Sequence, residues 1–99
     1  MAIHIKNHLP EIEETCKSNG ILFLGIFGSH ARNDNSEQSD VDLLVEFSDT
    51  KSLLEIAHIQ NLFSDMLHKH VDLVQRKSLK QRIKPYIMQD LKTICFSNS

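Results

Sequence analysis

Apolar positions set out the elements of this chain before any other property is considered. Leu9, Ile12 and Cys16 recur at helical spacing, with Pro10 suited to a first turn and Gly20 to a left-handed stop, which predicts a helix over 10–18. Ile21 to Phe27 is a short apolar run bounded by glycines and predicts a strand buried on both faces. After Gly28-Ser29 the polar stretch Asn33 to Ser39 reads as a loop, and Val41, Leu43, Val45 and Phe47 then alternate as a second strand. The other face of that strand begins with Asp40 and Asp42.

Ser52 followed by Glu55 has the form of a capping box, and Leu53, Ile56, Ala57, Ile59, Gln60, Phe63 and Leu67 continue as a mostly apolar stripe, so the longest helix is expected over 52–69. Val71 to Val74 predicts a third strand carrying one carboxylate, Asp72. A basic segment runs from Arg76 to Lys84, and Pro85 opens an expected last helix reaching Lys92. The resulting order of helix, strand, strand, helix, strand, helix predicts an α/β (α+β) fold, a small mixed sheet flanked by helices.

Composition narrows the class. At 99 residues, 40% of them hydrophobic and 24% charged, the chain is expected to form a single domain, 1–99, with one core that buries roughly 65% of the unfolded surface. Its longest nearly unbroken apolar run is far shorter than the ~20 residues of a membrane helix, and the polar start lacks a signal-peptide core, so a soluble cytoplasmic protein is expected. Cys16 and Cys95 show no zinc or disulfide spacing and read as ordinary buried thiols. Charge is uneven: residues 1–72 hold 5 Lys/Arg against 12 Asp/Glu, whereas 73–99 hold 6 against 1.

The segment from Gly28 to Asp42 carries the chemistry. A Gly-Ser pair directly after a buried strand lets backbone N–H groups approach a ligand closely, as a triphosphate requires. Asp40 and Asp42, at i and i+2 on a strand, share one face with Cα atoms about 6.5–7 Å apart, within reach of one ion or an adjacent pair. Left bare, they repel each other. Magnesium suits them, because it takes oxygen ligands and shares its shell with phosphates. Asp72 can complete the set from a neighbouring strand, giving the three carboxylates that two-metal phosphoryl transfer uses.

Gly28-Ser29, ten intervening residues and Asp40-Val41-Asp42 resemble the signature of the DNA polymerase beta-like nucleotidyltransferase superfamily. Phe27 to Arg32 and Ser39 to Val45 look like its minimal single-domain (MNT-type) members, antitoxins encoded beside HEPN-domain toxins, and the likeness runs from the first helix to the last. The resemblance implies that Asp40 and Asp42 bind metal and that Asp72, the third carboxylate, also helps activate the attacking hydroxyl. It further implies that Gly28 and Ser29 hold the β- and γ-phosphates of ATP, with Arg32 near the triphosphate and two Mg2+ ions in the site. Two residues depart from the pattern: Asn33, where many relatives have glycine, and His30, where a basic or aromatic residue is common.

The implied activity is transfer of AMP from ATP to a hydroxyl, a tyrosine of the partner HEPN toxin. Two alternatives stand beside it. One is a catalytic subunit modifying a small hydroxylated substrate, such as an aminoglycoside, held by a separate subunit; the other is a non-catalytic antitoxin that masks its toxin. Elsewhere, His68 and His70 fall at a helix end, where cations suit the dipole, and His4, His8 and His58 read as surface or packing residues. Glu46 lies about 13 Å along the strand from Asp42, too far to share a metal. Among Arg76, Lys77, Lys80, Arg82 and Lys84 only Tyr86 offers a stacking ring, so independent nucleic-acid binding is not expected.

Overall fold

The computed structural model describes residues 5–34 and 39–96. After a 3-10 turn at Ile5–His8, α1 spans Leu9–Ser18, β1 Ile21–Phe27, α2 Ser29–Arg32, β2 Val41–Phe47, α3 Leu53–Leu67, β3 Val71–Gln75, α4 Lys84–Asp90 and β4 Lys92–Phe96. The strands lie in the order β3-β2-β1-β4. β1 pairs antiparallel with both β2 and β4, and β2 runs parallel to β3. Parallel neighbours require a crossover. Here α3 supplies it.

Alternation in β2 sorts the two faces of the sheet. Val41, Leu43 and Val45 are buried with Leu24 and Ile26 of β1, Val71 and Leu73 of β3, Ile12 and Cys16 of α1, and Ile59, Phe63 and Leu67 of α3. That face is the core. The expected capping box is present: Ser52 Oγ accepts from the Glu55 amide at 3.2 Å, and Glu55 Oε1 accepts from the Ser52 amide at 3.1 Å. The helix ends at Leu67, two residues early, where His68 turns left-handed with φ 55°. Leu53 and Ala57 of the expected stripe are exposed, so the buried face is narrower than the sequence suggests.

The expected last helix stops at Asp90, and β4 follows it as a fourth strand that the sequence reading lacks. Gly25 permits that arrangement. A β-carbon there would stand 2.7 Å from Leu91 Cδ1 and 3.1 Å from the Lys92 carbonyl oxygen, so only glycine lets the chain leaving α4 lie against the middle of β1. Leu22, Phe23 and Phe27 are half-buried, and β1 is therefore enclosed on both faces only in part. Cys16 is buried and Cys95 partly so; burial pushes the Cys16 thiol up to about 12.

β3 is an edge strand, and its outward amides are covered by α3. Ser64 Oγ accepts from the Val71 amide and Gln60 Oε1 from the Leu73 amide, each at 3.0 Å. The two bonds flank Asp72 and fix the height of its backbone. Removing an acceptor from a partly buried donor costs about 1–2 kcal/mol. Gln60→Ala is therefore expected to lower the melting temperature by roughly 4–12 °C, as measured by circular dichroism, with Ser64→Ala behaving similarly.

Candidate active site

Three backbone decisions assemble the site at one end of the sheet. Parallel pairing of β2 with β3 makes Asp42 and Asp72 direct register partners, so their side chains rise from one face about 4.8 Å apart at the backbone. Antiparallel pairing sets Phe27, the last residue of β1, opposite Asp42. Gly28 follows with φ 77° and ψ −155°, which delivers the Gly28-Ser29 turn beside the carboxylates. A β-carbon on Gly28 would run into the Asp42 carboxylate.

α2 then begins at Ser29. The Arg32 amide donates to the Gly28 carbonyl at 3.1 Å and the Asp34 amide to the Ser29 carbonyl at 3.0 Å, closing the turn over itself. Asn33 ends it in the left-handed region, with φ 62°. Of the expected loop, residues 35–38 lie outside the described residues.

Asp40, the residue before β2, is exposed, and its carboxylate stands 3.4 Å from His70 Nδ1. The Val41 amide donates to the His70 carbonyl at 2.9 Å, which ties the chain at Asp40 to the start of β3. Arg32 is held by two carboxylates: its Nε donates to Asp34 at 3.0 Å and its Nη1 to Asp90 at 2.6 Å. His30 is 7% exposed, and its Nε2 donates to the Ser39 carbonyl at 3.1 Å. These contacts of His70, Asp90 and His30 are absent from the sequence reading, since each joins residues brought near only by the sheet.

The structure brings Asp42 and Asp72 together at the Gly28-Ser29 turn, with Asp40 one step away on His70 and Arg32 on Asp34 and Asp90. Among the described residues no three His, Cys, Asp or Glu side chains already stand as a closed metal-ligand group. Glu46 is exposed and 3.9 Å from Arg76, away from the carboxylate pair in sequence and pairing. The basic segment is solvent-facing, and Tyr86 beside it is 72% exposed.

Burial holds Asp42 above the usual carboxylate range, and the negative charges of Asp72 and then Asp40 push it the same way. Oxygen-only donors under mutual repulsion fit a hard divalent cation, which neutralises the crowding that raises Asp42. The residues present therefore suit magnesium.

Comparison with known proteins places this arrangement. Residues 10–99 match the family model described as polymerase beta, nucleotidyltransferase. The chain belongs to that family. Protein adenylyltransferase MntA of Thermococcus cleftensis is 36% identical over 84 residues, covering 85% of this chain and 82% of the relative. Among solved structures, a toxin-antitoxin crystal structure with AMP-PNP superposes with a TM-score of 0.76 at 20% identity, over 91% of this chain and 74% of that one. A complex of tri-AMPylated Shewanella oneidensis HEPN toxin with MNT antitoxin gives 0.72 at 18% identity, over 95% and 74%. At these identities the two structures establish a shared fold, and the small mixed sheet flanked by helices is that of a minimal nucleotidyltransferase. No helix among the described residues of this nucleotidyltransferase is long and apolar enough to cross a membrane.

The raised Asp42 pKa has a measurable sign. The folded chain holds that proton more tightly than the unfolded chain, so stability is lost as pH rises from the ordinary aspartate value of 3.8 through the raised one. Without divalent cations at pH 7, Asp42→Asn is expected to melt a few degrees above wild type, and the difference should vanish at pH 3. Magnesium should raise the wild-type melting temperature and leave the variant nearly unmoved. A variant that melts lower than wild type at both pH values would contradict the crowding of these carboxylates.

Proposed function

We propose that this nucleotidyltransferase transfers AMP from ATP to a hydroxyl of a protein, a tyrosine of a partner HEPN toxin, and so acts as its antitoxin in the cytoplasm. The observation that carries the reading is the register pairing of Asp42 with Asp72 beside a glycine turn that excludes any β-carbon. The similarity to a protein named adenylyltransferase MntA and the shared fold with toxin-antitoxin complexes support the same acceptor class. Gly28 and Ser29 present backbone amides and one hydroxyl to the β- and γ-phosphates. Arg32, one turn further along α2, would turn from Asp34 and Asp90 toward the triphosphate's charge.

Asp40, Asp42 and Asp72 would hold magnesium, two ions in the full complex, and Asp40 would leave His70 to join them. When bound, that metal supplies electrostatic stabilisation to the phosphoryl oxygens. Asp72 orients the acceptor hydroxyl and takes its proton as the hydroxyl oxygen attacks the α-phosphorus. The bond from the α-phosphorus to the bridging oxygen breaks, and pyrophosphate leaves with the electron pair. Positioning and charge stabilisation account for most of the rate in such a displacement.

The test uses labelled ATP, magnesium and the neighbouring HEPN protein, with the label located by mass spectrometry. A substoichiometric amount of the chain should modify a toxin tyrosine and silence the toxin, which stays silent once the chain is removed. Asp72→Asn, nearly isosteric, should still bind the toxin but lose modification by about 100-fold or more. Protection that appears only at equimolar protein, without ATP, would mark a mask in place of a catalyst.

A further inference from the structure

His30 is the one buried polar side chain among the described residues, and it sits between the two halves of the site. Its sequence neighbours are the Gly28-Ser29 turn, and its hydrogen-bond partner, Ser39, immediately precedes Asp40. A carbonyl oxygen only accepts, so the bond to Ser39 fixes a proton on Nε2. The other ring nitrogen, Nδ1, is buried with no hydrogen-bond partner among the described residues. A phenyl ring would fill the same space without burying an unpaired polar atom, so the imidazole costs stability in return for a single donor.

Resting on the AMP-transfer reading above, we infer that His30 is a positioning residue whose Nε2–H holds the Ser39 carbonyl, and through it Asp40 and Asp42, against the Gly28-Ser29 turn. The chain into β2 is then fastened from two sides. The Val41 amide on the His70 carbonyl, at 2.9 Å, sets it relative to β3 and Asp72. The His30 bond, at 3.1 Å, sets it relative to the turn that carries the phosphates. The second fastening spans nine residues and joins the turn directly to the residue before Asp40. A misplacement of about 1 Å between such groups costs on the order of 100-fold in rate.

Two substitutions separate the donor from the volume. His30→Phe fills the cavity and cannot donate, whereas His30→Gln places an amide N–H near the position of Nε2. His30→Phe is expected to melt at or above the wild-type temperature. Amide exchange at residues 40–42 should nonetheless be about tenfold faster, and Mn2+, used as a spectroscopic probe, should bind more weakly. In the transfer assay kcat should fall about 10- to 100-fold with KM for ATP within about twofold. His30→Gln should recover most of the exchange protection, the Mn2+ affinity and kcat.

Unchanged exchange and Mn2+ affinity in His30→Phe would overturn the inference, as would a His30→Gln variant that folds normally but matches His30→Phe in both. A kcat for His30→Phe equal to wild type would also overturn it. If wild-type protein transfers no AMP to any toxin, the transfer reading fails, and exchange and Mn2+ binding still decide whether His30 fastens the carboxylates.

Discussion

Repulsion between Asp42 and Asp72 is the constraint around which the molecule is arranged. Two like charges on adjacent strands oppose folding, and burial of one of them makes the opposition stronger. The pairing persists because it is set by backbone hydrogen bonds and by the apolar residues on the opposite side of the same strands. Val41, Leu43, Val71 and Leu73 alternate with the two aspartates, so the register that buries the four apolar side chains is the register that places the carboxylates together. A slip of one residue would reverse both faces.

Other features hold that crowded end in place. α3 closes the free edge of β3 with Gln60 and Ser64, which keeps Asp72 from drifting along the edge. Its capping box starts the helix at a defined residue, and the i, i+4 spacing of Ile59, Phe63 and Leu67 lays it on the core. On the other side, Arg32 reaches across to Asp90 at 2.6 Å and links α2 to the end of α4, just before β4. The last helix thus contributes to the site's frame without contributing a reacting group.

Much of this was legible in the sequence because the deciding signals are local. The run Ile21 to Phe27, the alternation through Phe47, the Ser52/Glu55 cap and the carboxylate in the third strand each predict an element within one or two residues of its observed position. Gly28-Ser29 was readable as a turn leaving a buried strand, and Asp40-x-Asp42 as carboxylates at the start of the next strand, for the same reason. The fourth strand was not readable, since Lys92 to Phe96 lacks a clean two-residue period and its place depends on pairing with the distant β1, Ile26 with Lys92 and Phe23 with Phe96. Contacts such as His30 with Ser39 or Arg32 with Asp90 were hidden because both partners are polar and common at surfaces. Only the closed sheet brings them together.

Gly28 has an outcome at the level of genes. Every other amino acid carries a β-carbon, and the Asp42 carboxylate stands where that carbon would go, so no missense change in this codon leaves turn and carboxylate both undisturbed. Among short reading frames of this kind, a residue other than glycine at this place marks a copy in which turn and carboxylate have moved apart, even while its apolar pattern still directs the chain to fold.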